Sequence, residues 1–133
     1  MTRVMLDTNA VSTAVHRRSA LFDRKLGEVG GEAISISAIT YGEIIYRLEW
    51  KPEARKLAKS MSDFLREISV TPWTEATAEV YGTLRAELRR TGKSLAPLDM
   101  LIAAHALEVG ATLVTSDRPF RQVPGLTVED WTA

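Results

Sequence analysis

Asp7, Glu43, Asp99 and Asp117 stand in settings unlike those of the other acids. Asp7 follows directly on the apolar run Val4-Met5-Leu6, and Asp117 comes just after Thr112-Leu113-Val114-Thr115. Glu43 lies in the early turns of a helical stretch that opens near Ser37, and Asp99 is embedded in the otherwise apolar segment Ala96 to Ala104. Glu28, Glu49, Glu53, Asp63, Glu67, Glu75, Glu79, Glu87 and Glu108, by contrast, sit among Lys and Arg in helical segments, as a solvated face does. Each of the four has an ordinary explanation when taken singly: a turn residue for Asp7 or Asp117, a capping box with Thr40 for Glu43, a favourable helix dipole for Asp99. Brought together at one rim, four carboxylates repel one another and call for a cation.

The type of cation follows from the ligands. There is no cysteine and there are only two histidines, so an all-oxygen donor set points to a hard divalent ion, Mg²⁺ or Mn²⁺. A site of that kind does phosphoryl chemistry, activating water and stabilising charge on a leaving oxygen. Asn9 and Thr115 are placed to orient ligands or metal-held water, and each serves equally as a helix cap or turn residue.

The elements that must position these groups alternate. Val4-Met5-Leu6 reads as a buried strand, and Asp7-Thr8-Asn9 as a turn or helix N-cap. Ser19 to Val29 has a helical rhythm ended by Gly30-Gly31, and Ala33 to Ser37 alternates as a second strand. Ser37 and Thr40 are candidate caps for a helix reaching about Trp50; Pro52 suits the next start, with Leu57, Met61, Phe64, Leu65 and Ile68 as a core-facing stripe. Ser69-Val70-Thr71 is a weak third strand, Thr74 caps a long helix to Gly92, and Pro97 opens another that ends before Gly110. Thr112 to Thr115 and Leu126 to Val128 complete the strands. This order predicts an α/β fold with a parallel sheet and helices on both faces, where ligands bind beyond the carboxyl ends of the strands.

Composition sets the outer bounds. The chain has 133 residues with 17 Lys+Arg against 17 Asp+Glu, enough length for one domain, residues 1–133, with its own core. The absence of cysteine excludes a disulfide knot or zinc ribbon, and zero net charge argues against a strong overall positive field. No apolar run matches a signal peptide or membrane span, so a cytoplasmic location is expected.

Four segments, Met5-Leu6-Asp7-Thr8-Asn9, Ser37-Ala38-Ile39-Thr40-Tyr41-Gly42-Glu43, Leu98-Asp99-Met100-Leu101-Ile102-Ala103-Ala104-His105-Ala106 and Leu113-Val114-Thr115-Ser116-Asp117-Arg118-Pro119-Phe120, resemble the PIN domain. More narrowly, they and the closing Val123 to Trp131 are similar to VapC toxins of bacterial toxin–antitoxin pairs. The resemblance implies a three-layer α/β/α sandwich with a mostly parallel sheet of four to five short strands. It implies a metal-dependent endoribonuclease acting on tRNA or another structured RNA, with Asp7, Glu43 and Asp99 holding Mg²⁺ or Mn²⁺, Asp117 as the fourth acid, and Thr115 and Asn9 in support. It also implies a homodimer or larger toxin–antitoxin assembly, inhibition by a VapB antitoxin, and contact with DNA only through that antitoxin. Members near this pattern often carry Asn where Asp117 stands.

Phosphate contacts supply most of the affinity for RNA, and the basic clusters are His16-Arg17-Arg18, Arg85 with Arg89-Arg90 and Lys93, and Arg118 with Arg121. Arg118 and Arg121 follow Asp117 and so are placed at the rim, while Arg17 and Arg18 are a further candidate pair. His105 lies near the apolar line of its helix and reads as a packed core histidine. Among rivals, a haloacid-dehalogenase-type phosphatase needs an acid where Asn9 stands, and a receiver domain needs one within Val70-Thr71-Pro72-Trp73. A PIN nuclease of RNA maturation or decay without an antitoxin is the alternative enzyme. A catalytically inactive PIN-like interaction module is the alternative of another class, and it would be expected to have lost acids.

Overall fold

The structure is a computed structural model that describes residues 3–133. Its strands are short: β1 (Val4–Leu6), β2 (Ile34–Ser37) and β4 (Thr112–Val114) are buried throughout, whereas the edge strands β3 (Ser69–Thr71) and β5 (Val128–Glu129) are partly exposed. They form one sheet in the order β3-β2-β1-β4-β5, and every pairing is parallel. β1 is central, with Val4, Met5 and Leu6 facing Ile34, Ser35 and Ile36 on one side and Thr112, Leu113 and Val114 on the other. Strands covered on both faces need no polar alternation. That is why β2, whose Ile-Ser-Ile-Ser sequence alternates, is buried at all four positions, with the Ser35 hydroxyl donating to the Val4 carbonyl at 2.8 Å.

Helices α1 (Thr8–His16), α2 (Ala20–Val29), α3 (Ala38–Trp50), α4 (Ala58–Arg66), α5 (Glu75–Arg90) and α6 (Pro97–Val109) fill the crossovers. On one face Met5 and Leu113 pack with Leu84 and Leu88 of α5 and Ile102, Ala103 and Ala106 of α6. On the other, Val4, Leu6, Ile36 and Val114 pack with Ala10 and Val11 of α1, Phe22 of α2, Ile44 of α3 and Trp131. Two such cores on one sheet make the three-layer α/β/α sandwich that the sequence predicts.

Local chemistry sets the helix ends. Ser19 and Ser37 cap α2 and α3 by accepting from Phe22 and Ile39 backbone N–H groups, and Thr74 forms a reciprocal capping box with Thr77. Gly110 ends α6 in the left-handed region at φ 68°. Three details differ from expectation. Helix α1 is continuous from Thr8, where the sequence offers only a turn or cap signal, because Asp7 supplies its N-cap. Thr40 lies inside α3 and Ser37 alone caps it. The stripe on α4 reaches only half-burial, because α4, entered through the 3₁₀ turn Pro52–Leu57, packs beside α1 at the margin of the second core. No helix among the described residues is long and apolar enough to cross a membrane.

Candidate active site

The order β3-β2-β1-β4-β5 reverses direction between β1 and β4, and in an open parallel sheet the crevice beyond the strand ends at such a reversal is the natural ligand site. Asp7 leaves β1 at that point. Its backbone is extended, its Oδ1 accepts from the Ala10 N–H at 2.7 Å, and its Oδ2 accepts from the Thr115 hydroxyl. Only 3% of Asp7 is exposed. Burial pushes its carboxyl up from the ordinary aspartate value of 3.8 to about 6, with the Asp117 and Asp99 charges adding, although the bonds from Thr115 and Ala10 pull the other way.

Thr115 is buried at the end of β4 and works in both directions: it donates to Asp7 and accepts from the Asp117 N–H at 3.0 Å. That second bond turns the chain so that Asp117 stands half-buried ahead of the 3₁₀ turn Arg118–Gln122. Asp99 lies in the first turn of α6, where Pro97 takes a position that needs no N–H donor. Burial raises the Asp99 pKa, and the charges of Asp117 and Glu43 raise it further. Glu43 is half-buried on α3, and its Oε1 accepts from the Thr8 hydroxyl at 2.9 Å. Thr40, one turn earlier, forms no box with it; its buried hydroxyl has no protein partner.

The four acids are therefore electrostatic neighbours and feel one another across a partly buried rim. Among the described residues, no three acidic or histidine side chains close into a metal-binding cluster. The ion pairs of the described residues, Arg17 with Asp23 and Lys59 and Arg66 with Asp63, involve none of the four. Uncompensated like charges, one of them buried, leave a negative rim whose oxygen donors suit a hard divalent cation.

The remaining candidates separate clearly. Asn9 is exposed on the first turn of α1, and Arg118 and Arg121 are exposed on the 3₁₀ turn that follows Asp117. Arg17 and Arg18 stand at the far end of α1, roughly 15 Å from Asp7 by helix rise. There Arg17 pairs with Asp23 at 2.9 Å and Arg18 reaches the Ser12 hydroxyl, so the structure does not bring this pair to the rim. His105 is fully buried. Thr8 is the site residue that sequence reasoning passed over: its bond to Glu43 spans 35 positions, and no local pattern marks it.

The PIN-domain family profile matches residues 4–126. A Shigella flexneri protein, the tRNA(fMet)-specific endonuclease VapC, is 33% identical over 98% of this chain and 99% of its own length. The chain belongs to the VapC family of PIN domains. Ribonuclease VapC2 of Haemophilus influenzae is 31% identical over 98% of this VapC-family chain and 99% of its own. Among solved structures, DNA-bound VapBC from Salmonella typhimurium matches with a TM-score of 0.90 and 30% identity, over 98% of this chain and 99% of that one. VapBC2 from Rickettsia felis, bound to a promoter DNA fragment, gives 0.89 and 28% over 96% and 98%. This PIN domain thus shares both its architecture and nearly its whole length with VapC chains.

Proposed function

We propose that this PIN domain is the RNA-cleaving toxin of a VapBC-type pair, an Mg²⁺- or Mn²⁺-dependent endoribonuclease with tRNA as its substrate class. The observation that carries the proposal is the rim of Asp7, Glu43, Asp99 and Asp117, with a buried acid raised to about 6 and no basic residue among the charges acting on it. Full-length similarity to proteins named as VapC ribonucleases, one of them tRNA(fMet)-specific, supports the reaction class.

The four acids would hold the metal, which when bound supplies activation of water and compensation for charge on the leaving oxygen. The chain's own groups do the positioning. Ala10 N–H and the Thr115 hydroxyl engage both oxygens of Asp7, leaving its remaining lone pairs to the rim. Thr8 fixes one oxygen of Glu43. Arg118 and Arg121, exposed on the turn after Asp117, would meet RNA phosphates. Attack by water gives 5′-phosphate and 3′-hydroxyl ends.

Matching structures are complexes named VapBC, two of them bound to DNA, which supports a VapB-type antitoxin as partner; a homodimer, and DNA contact only through the antitoxin, complete the proposed assembly. A cytoplasmic location goes with tRNA as substrate. The test is incubation of the purified chain with tRNAs in Mg²⁺ or Mn²⁺, beside EDTA and the Asp7→Asn and Asp99→Asn variants. Cleavage is expected with metal and lost in each control. Cleavage that survives both the chelator and both substitutions, or products with 2′,3′-cyclic phosphates, overturns the proposal.

A further inference from the structure

His105 and Asp99 ride on the same helix, α6, while Ser37 and Glu43 belong to the start of α3. The two helices meet through one polar contact between fully buried groups: His105 Nδ1 lies 2.7 Å from Ser37 Oγ. The other ring nitrogen, Nε2, is 3.2 Å from the Pro72 carbonyl. A carbonyl only accepts, so the hydrogen of the neutral ring sits on Nε2 and Nδ1 is a bare acceptor. Burial holds the ring's pKa below the ordinary histidine value, which keeps it neutral near pH 7. Trp73 closes over the ring edge-on, at 5.4 Å between centroids.

This assignment fixes the Ser37 hydroxyl. Its single hydrogen goes to His105, and an oxygen lone pair is left for the Ile39 N–H at 3.0 Å, the capping bond that starts α3. The bonds thus run without interruption from Ile39 N–H to Ser37 to His105 to Pro72. A neighbour unable to accept at Nδ1 would let the hydroxyl turn, loosen the cap, and free the first turns of α3, which carry Glu43.

We propose that His105 is a positioning residue of the metal site: by accepting the Ser37 hydrogen it locks the helix bearing Glu43 against the helix bearing Asp99. The proposal rests on the metal-nuclease function above and adds a residue remote from the rim to it. A core histidine that merely fills space would make ring volume and overall stability its whole contribution. The difference lies in which ring nitrogen matters.

The test is calorimetric titration of Mn²⁺ alone into the purified chain, with thermal unfolding measured on each variant. In His105→Asn the amide oxygen stands where Nδ1 stood and still accepts from Ser37. In His105→Gln the amide reaches toward Pro72 and offers Ser37 no acceptor in the same place. His105→Asn is expected to keep Mn²⁺ affinity within about two-fold, whereas His105→Gln weakens it about five-fold, the worth of one hydrogen bond, and Ser37→Ala, which deletes this bond and the Ile39 cap together, weakens it at least as much. Equal affinity in His105→Gln and the wild type, or affinities that simply follow melting temperature across the variants, overturns the proposal. Should His105→Gln fail to fold, Ser37→Ala decides, since it deletes one oxygen; wild-type affinity in that variant sinks the idea. If the wild type binds Mn²⁺ no better than Asp99→Asn does, the metal-nuclease function itself has failed, a result distinct from the others.

Discussion

At Asp7 the chain keeps a carboxylate where folding alone disfavours one. Its pKa rises from 3.8 to about 6, so the metal-free fold prefers the protonated acid, and the stability gained at low pH is lost as pH rises through about 6. Asn at this position keeps an oxygen for the Ala10 N–H and removes the charge. In EDTA at pH 7.5, Asp7→Asn is therefore expected to be more stable than the wild type by about 3 kcal/mol, at 1.36 kcal/mol per pKa unit. The difference should shrink as pH falls toward 4, and urea unfolding across that range measures it. Mg²⁺ should raise the melting temperature of the wild type and leave the variant unmoved. Thr8 makes the second case at this scale: Thr8→Val keeps the shape but deletes the donor to Glu43, and about a ten-fold loss of cleavage rate is expected, as for a hydrogen bond to a charged group. Thr8→Ser should restore most of it, and an unimpaired Thr8→Val would show that Glu43 needs no such support.

Among the elements, α5 and α6 show how helix ends are joined away from the rim. Thr77 lies at the third position of α5, returns a bond to the Thr74 N–H, and donates to Glu108 near the end of α6 at 2.6 Å. Thr77→Val removes both bonds and leaves Glu108 without this donor, so a loss of about 2 kcal/mol is expected in urea unfolding. Asp99 sits at the opposite end of α6, so cleavage at saturating metal should be unchanged; a parallel loss of activity would mean that the α5–α6 seam sets the site as well. Most element ends were legible because their signals are local. Ser19, Ser37, Thr74, Pro97 and Gly110 each act on backbone groups within a few positions. Helix α1 was not legible, since its cap, Asp7, reads equally as a turn and its nine residues carry no long apolar period.

Over the whole molecule, the parallel sheet couples its two cores through strands only two to four residues long, and the C-terminal segment completes one of them. Trp131 is 2% exposed, packs edge-on against Phe22 at 5.4 Å, and donates its indole N–H to Glu129. Trp131→Ala opens a cavity under α2 and beside Val114, and about 3 kcal/mol should be lost in chemical unfolding. A change below about 1 kcal/mol would show that the segment is only loosely applied.

The sequence by itself determined the alternation of strands and helices, the parallel class of the sheet, and which acids stand apart from the solvated ones, because each of these follows from short-range periodicity and from charge in an apolar setting. Tertiary structure decided the strand order, which puts the end of β1 between its neighbours and so sets Asp7 beside Asp117 and Asp99. It also decided the pairings of Thr8 with Glu43, Thr115 with Asp7 and His105 with Ser37, and it left Arg17 and Arg18 at the wrong end of α1 to meet the rim. Those bonds join residues 35 to 108 positions apart. Their partners are fixed only when the crossovers close, and no local preference records them.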